Sequence, residues 1–217
     1  MGNEELVEYI SQLVLNELKS LNNEAELVPV GVSARHVHIS EEDFKVLFGE
    51  NGKLTVYKEL SQPNQFASEQ KVDLVGKKGT LKNLRILGPF RDKTQVEITT
   101  SECRILGFEK VPVRQSGNLK NSCGVTIVGP CGKVTLKEGV IIAVRHIHAT
   151  TKDALRLGVK DGDVVDVTVD GDKGGVLSNV IVRVNDAYKL ELHIDTDDAN
   201  AFKILNGKKL KVEVGKK

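Results

Sequence analysis

The tetrapeptide Arg35-His36-Val37-His38 returns as Arg145-His146-Ile147-His148, and the two copies hold four of the chain's five histidines. In an extended strand, residues two apart point to the same face. His36 and His38 then project together with Val37 turned away, and His146 and His148 do the same around Ile147. Two imidazoles on one strand face make half of a site for a borderline-soft divalent metal. One His-x-His alone is common and is more often structural. Two copies set inside a longer repeat are far more specific, and they point to metal binding.

Each pair needs a third ligand. His193 lies in KLELHID, where Glu191, His193 and Asp195 share one strand face and Leu190, Leu192 and Ile194 share the other. It is a natural third ligand for one of the pairs. Glu97, in TQVEITT, points away from Val96 and Ile98 and is a candidate for the other pair, although the same pattern suits an ordinary solvent-facing glutamate. Three protein ligands per ion leave positions open for water or substrate, as a catalytic centre requires. Arg91 precedes Glu97 by six residues in GPFRDKTQVE. From a turn there, its guanidinium can clamp a phosphate bidentately beside the metals, or it can stay a surface arginine. Arg35 and Arg145 can each contact an anion or orient nearby carboxylates.

Other chemistry is thin. Cys103, Cys123 and Cys131 are odd in number and form no Cys-x-x-Cys pair. They read as reduced thiols of a cytosolic compartment and as small apolar filler, not as nucleophiles. Gly129-Pro130-Cys131-Gly132 is a turn, since no helix opening with Gly-Lys-Ser/Thr follows it. No nucleophile elbow is present.

The elements that must position these residues are mostly strands. From Leu27 onward the chain is a series of short β-rich runs, including LVPVGVS, KVDLVG, TQVEITT and NVIVRV, punctuated by Gly, Asn, Asp and Pro. Two short helices are expected, over 41–47 and 152–157. The repeat spans more than the histidines. At an offset of 110 residues (146 against 36), Ser40 meets Thr150, Asp43 meets Asp153, Leu47 meets Leu157, and Asn51-Gly52 meets Asp161-Gly162. Each half thus contains a strand, His-x-His, a capped helix, a Gly turn and a strand. The expected fold is mainly β: two similar small β-barrel domains, with short helices, joined near residues 115–143. Before them, residues 3–21 read as one amphipathic helix, with Leu6, Ile10, Leu13, Val14, Leu18 and Leu21 on one face and Asn3 as its cap. It either docks on its own domain or serves as a docking peptide for a partner.

Composition excludes some classes. The net charge of +1 gives no bulk attraction for nucleic acid. No apolar run approaches the roughly 20 residues that span a bilayer, so no membrane partner is expected. No secretory signal is visible, because Glu4, Glu5 and Glu8 stand where a basic region would be.

Taken together, PVGVSARHVHIS, GPFRDKTQVEI, PVRQSG, GVIIAVRHIHATTKDALRLGVKDGD and LELHIDTDDANA resemble the PduL-type phosphotransacylases, the phosphate propanoyltransferase family. The resemblance covers about Val28 to Val214. It implies two β-barrels with a two-metal zinc site between them. It also implies the interconversion of acyl-CoA plus phosphate with acyl phosphate plus coenzyme A, the acyl group being short, such as propanoyl or acetyl. By motif, His36, His38 and Glu97 hold one ion, and His146, His148 and His193 hold the other. Arg91 matches the phosphate-binding arginine, and Ser116 in PVRQSG falls near the substrate site. The resemblance further implies domains at 27–143 and 144–217 after an N-terminal segment 1–26, with strand 27–34 joining the second barrel. The family often has Met after the second His-x-His, where this chain has Ala149; that residue should face away from the histidines. Many members carry an N-terminal helix that directs them into bacterial microcompartments, so residues 3–21 imply shell or core proteins as partners, and the lumen or the cytoplasm as the location. A homodimer is the expected assembly. Direct attack of phosphate on the thioester, without an acyl-enzyme, is the expected mechanism. A metal-dependent hydrolase of thioesters or phosphoesters is the alternative the same histidines allow.

Overall fold

A computed structural model describes residues 27–213 together with Leu6, Ile10, Ser11 and Val14. Those four N-terminal residues are helical, and Leu6, Ile10 and Val14 are exposed. The rest of the helix expected over 3–21 lies outside the described residues. Among the described residues no helix is long and apolar enough to cross a membrane.

The chain is mainly β, as its alternating Val, Ile and Leu runs require. A closed six-stranded barrel is built from β1 (Leu27–Ser33), β11 (His146–Ala149), β12 (Val164–Val169), β13 (Gly175–Val184), β14 (Glu191–Asp195) and β15 (Lys209–Glu213), in the order β1-β14-β11-β13-β12-β15. Its interior is aliphatic: Val28, Val30, Ile147, Val165, Val167, Val180, Val182 and Leu192 are sealed from solvent. Ala149 lies in that interior, on the face opposite His146 and His148.

The other sheet contains β2 (His36–His38), β3 (Val56–Glu59), β4 (Phe66–Val75), β5 (Thr80–Gly88), β6 (Gln95–Glu97), β7 (Val113–Arg114), β8 (Thr126–Val128), β9 (Lys133–Thr135) and β10 (Val140–Ala143). Its path β10-β6-β2-β5-β4-β8 follows the barrel's path strand for strand. It curls without closing. β1 has seven residues and pairs β15 through Leu27, Val28 and Pro29. Its counterpart β10 has four and begins directly after the Gly139 turn, and among the described residues the β pairing across the gap is an isolated bridge between Cys123 and Val140.

The correspondence exposes an exchange. β1 precedes β2 in the chain, yet it lies parallel to β14 in the barrel. β10 precedes β11, yet it lies parallel to β6 in the curled sheet. The strand that leads into each His-x-His therefore belongs to the other sheet, and the chain crosses between sheets at 34–35 and again at 144–145.

Four short helices follow the strands that carry the site. They are α1 (Glu41–Phe48) after β2, α2 (Thr100–Leu106) after β6, α3 (Thr151–Leu157) after β11 and α4 (Thr196–Phe202) after β14. Each is capped at once: Ser40, Thr99, Thr150 and Asp195 accept from the backbone N–H three residues on, with reciprocal capping boxes at Thr99/Glu102 and Thr150/Asp153. The caps fix where each strand ends, and so which residues stand at its rim. α1 and α3 are expected from the sequence, whereas α2 and α4 lie where no helix is expected.

Candidate functional site

All five histidines line one cleft of about 710 Å³ between the two sheets. β2 and β11 place their histidine pairs at the crossovers, and neighbouring strands supply the third side chain. His36 pairs with Glu97 across β2 and β6, and His146 pairs with His193 across β11 and β14. Glu97 and His193 therefore hold equivalent positions, at an offset of 96 residues (193 against 97).

In the first centre, His36 Nε2 and His38 Nε2 are 3.2 Å apart, and Glu97 oxygens lie 3.4 and 3.7 Å from them. Among the described residues this is the group of three whose ligand atoms all lie within 4.8 Å of one another. Burial, then the neighbouring His36 and Arg91, hold His38 well below the usual imidazole range, which keeps its ring neutral and able to ligate.

In the second centre, the rings of His146, His148 and His193 stand with centroids 4.8 to 5.0 Å apart. Burial, then His193, brings His146 down to about 4, and burial, then His146, brings His148 down to about 3. Both nitrogens of His148 are buried with no hydrogen-bond partner. A buried imidazole with neither nitrogen satisfied is costly unless something binds there. That vacancy of partners, with the neutral rings, fits the donor set of a divalent ion. Here His193 Nε2 faces Glu191 Oε2, at 2.8 Å. Burial pushes the Glu191 carboxyl up, but hydrogen bonds from His193 and Ser61 outweigh it and hold it at about 2.

Arg91 leaves the turn before β6, anchored by its N–H to the Ile39 carbonyl, and donates to Ser116 Oγ at 2.9 Å. Gln95 donates to the same Ser116 oxygen (2.8 Å) and to Glu97 (2.5 Å), and accepts from Gly117 N–H. Arg91, Ser116, Gln95 and Glu97 thus form one chain of contacts ending at the first centre. Arg35 and Arg145 are braces: Arg35 donates to Glu102 at 2.8 Å, and Arg145 grips Asp198 bidentately at 2.8 and 2.6 Å. Glu102 on α2 and Asp198 on α4 are again 96 residues apart. The cysteines stay out of the cleft, and burial pushes Cys103 up to about 11.

The sequence profile of phosphate propanoyltransferases matches residues 29–205. The chain belongs to the phosphate propanoyltransferase family. It is an enzyme of the phosphate acyltransferase class. It is similar to phosphate propanoyltransferases of Rhodobacter capsulatus (46% identical, 91% of each chain), Thermotoga maritima (49%, covering 82% of this chain and 85% of that one) and Salmonella typhimurium (46%, 91% of each).

Several site residues carry no signal in their own sequence context. Arg183 on β13 stands beside His148 and lies close enough to Arg91 to help lower its proton affinity, after burial. Tyr188 stacks on His148 at 4.2 Å. Ser61 and Gln62 arrive from the loop between β3 and β4. Only Glu191 stood within reach of pattern reading, on the polar face of the His193 strand.

Proposed function

We propose that the cleft binds acyl-CoA and inorganic phosphate and transfers a short acyl group, such as propanoyl or acetyl, directly between them. A phosphate oxygen attacks the thioester carbonyl carbon, the C–S bond breaks, and the proton from hydrogen phosphate leaves with the coenzyme A thiol. Arg91 and Ser116 bind and orient the phosphate, and Gln95 ties Ser116 to the first centre. His36, His38 and Glu97 would hold one zinc ion, and His146, His148 and His193 a second. Such ions supply Lewis acidity to phosphate or carbonyl oxygen. The observation that carries the reading is the Arg91–Ser116–Gln95–Glu97 chain, which sets an anion-binding arginine against a histidine cluster within a family of phosphate acyltransferases. The absence of any cysteine from the cleft supports attack without an acyl-enzyme.

The same reading divides the chain into an N-terminal segment 1–26, one domain of residues 36–143, and a second domain of 146–213 completed by strand 27–33. The strand orders support it. The pattern of residues 3–21, with the family resemblance, supports a docking segment for a microcompartment.

The test is coenzyme A release from a series of acyl-CoAs, with and without phosphate. Release should require phosphate, and phosphate-independent release would favour a hydrolase. Arg91→Ala should raise the phosphate KM roughly 10- to 100-fold, the loss of a charge-assisted contact, with metal content unchanged. An acyl group trapped on the protein after mixing with acyl-CoA alone would sink direct attack.

A further inference from the structure

Three of the histidines declare which ring nitrogen they keep free. His36 Nδ1 and His146 Nδ1 each lie 2.8 Å from a main-chain carbonyl two residues earlier, that of Ala34 and that of Val144. A carbonyl only accepts, so these nitrogens carry the proton and Nε2 is the free nitrogen in both rings. His193 is set the other way. Its Nε2 lies 2.8 Å from Glu191 Oε2, and a carboxylate also only accepts. Here Nε2 carries the proton and Nδ1 is free.

The Glu191 contact is held from several sides. The carboxylate lies over Gly31, so closely that a Cβ there would meet its Cδ at 2.7 Å. Ser61 Oγ and Gln62 Nε2 both donate to Oε2. Gln62 is 3% exposed and is itself pinned by a reciprocal pair with the Lys189 backbone, at 2.9 and 3.2 Å. Ser61 and Gln62 belong to the curled sheet's loop, while Lys189 and Glu191 belong to the barrel. The orientation of a barrel histidine is therefore set from the opposite sheet. The equivalent position in the first centre is Gln95, an amide that donates to Glu97 instead.

We propose that Glu191, held by Ser61 and Gln62, is the positioning residue that makes His193 offer Nδ1 to the ion of the second centre, where His146 offers Nε2 as His36 does in the first. The inference rests on reading His146, His148 and His193 as an ion site. A carboxylate on the far nitrogen of a ligating histidine fixes the tautomer and raises the ring's basicity, and its loss typically lowers metal affinity 10- to 100-fold. Since Glu191 contacts the proposed ligand His193, its removal should act on metal affinity before it acts on turnover.

The experiment loads NMR-active cadmium onto protein with isotope-labelled histidine and reads metal–nitrogen coupling, alongside calorimetric cadmium titration. Coupling is expected through Nδ1 of His193 and Nε2 of His146. Glu191→Ala should weaken the second ion about 10- to 100-fold and leave the first unchanged, which also reports that the chain still folds. Glu191→Gln, which keeps an acceptor oxygen, should recover most of that loss. Gln62→Ala, which leaves the carboxylate in place, should weaken the second ion roughly 2- to 10-fold. Coupling through His193 Nε2, or a second ion bound as tightly or more tightly in Glu191→Ala, overturns the proposal. A wild-type chain that takes up one ion only, or shows no coupling to His146, His148 or His193, overturns the two-ion reading instead.

Discussion

In the first centre the carboxylate, Glu97, stands directly across from His36 on the neighbouring strand. In the second, that position holds His193, and the carboxylate, Glu191, has moved two residues along to stand across from His148. A shift of two keeps the strand face and changes the role. Glu97 reaches both imidazoles of its pair, at 3.4 and 3.7 Å, whereas Glu191 holds one imidazole from its outer side. The same duplicated frame thus sets a carboxylate facing the His-x-His pair in one half and a third imidazole at the matching place in the other. Which of two positions on one strand carries the acid decides whether it faces both histidines or only one, with no change in fold.

The strongest break of the comparison removes one histidine from each centre. His38→Ala and His148→Ala should each lower bound metal by one ion per chain and cut acyl transfer by on the order of 1000-fold, since several kcal/mol of charge stabilisation goes with the ion. Metal analysis beside the phosphate-dependent assay checks both. Full activity in either variant would leave that centre without a catalytic part.

Acidification sharpens the comparison in the metal-free protein. His146 sits at about 4 and His148 at about 3, both held down first by burial, against 6.5 for a free ring. The unfolded chain takes up protons from about pH 6.5 downward, and the folded chain does not. Stability from these rings is therefore present above pH 6.5 and is lost as the pH falls toward 4, by about 3 kcal/mol for His146. Melting curves of chelated protein between pH 7 and pH 4 should show the loss, and bound metal should suppress it. A flat profile in the chelated protein would mean that the rings are not neutral by burial.

A smaller probe acts on the residue beneath Glu191. Gly31 and Ile141 hold matching places in β1 and β10. Gly31→Ala pushes a methyl into the Glu191 carboxylate and should destabilise the fold by about 1–3 kcal/mol. It should also weaken the second ion while leaving the first alone. Equal effects on both ions would deny that the contact over Gly31 belongs to one centre.

Much of this was legible in residues 35–48 and 145–157. There the spacing of histidines, capping residues and Asp43/Asp153 repeats at one offset, and local structure follows from it. The third ligands were harder to read, because the offset falls from 110 to 96 between the His-x-His block and the Glu97/His193 block. The two segments share little beyond Ile98/Ile194 and Thr100/Thr196. α2 and α4 lie outside the 110-residue repeat that marks α1 and α3, although Thr99 with Glu102 and then Gly107 signals the first of them. The openness of the curled sheet turns on three residues of strand length in β10, below what alternation can resolve. Ser61 and Gln62 meet Glu191 across about 130 residues of chain, a contact that no local pattern encodes.

The strand exchange has a consequence for the order of events at the ribosome. The curled sheet has all its strands once residue 143 is out. β1 is the earliest of the described strands to emerge, yet its partners β14 and β15 begin at Glu191 and Lys209. Its apolar Val28 and Val30 stay without a place until nearly the whole chain has been made, and the barrel then closes through pairings of very long sequence separation. The earliest-made strand is the last to be seated. During that interval the nascent chain depends on whatever shields its amino end.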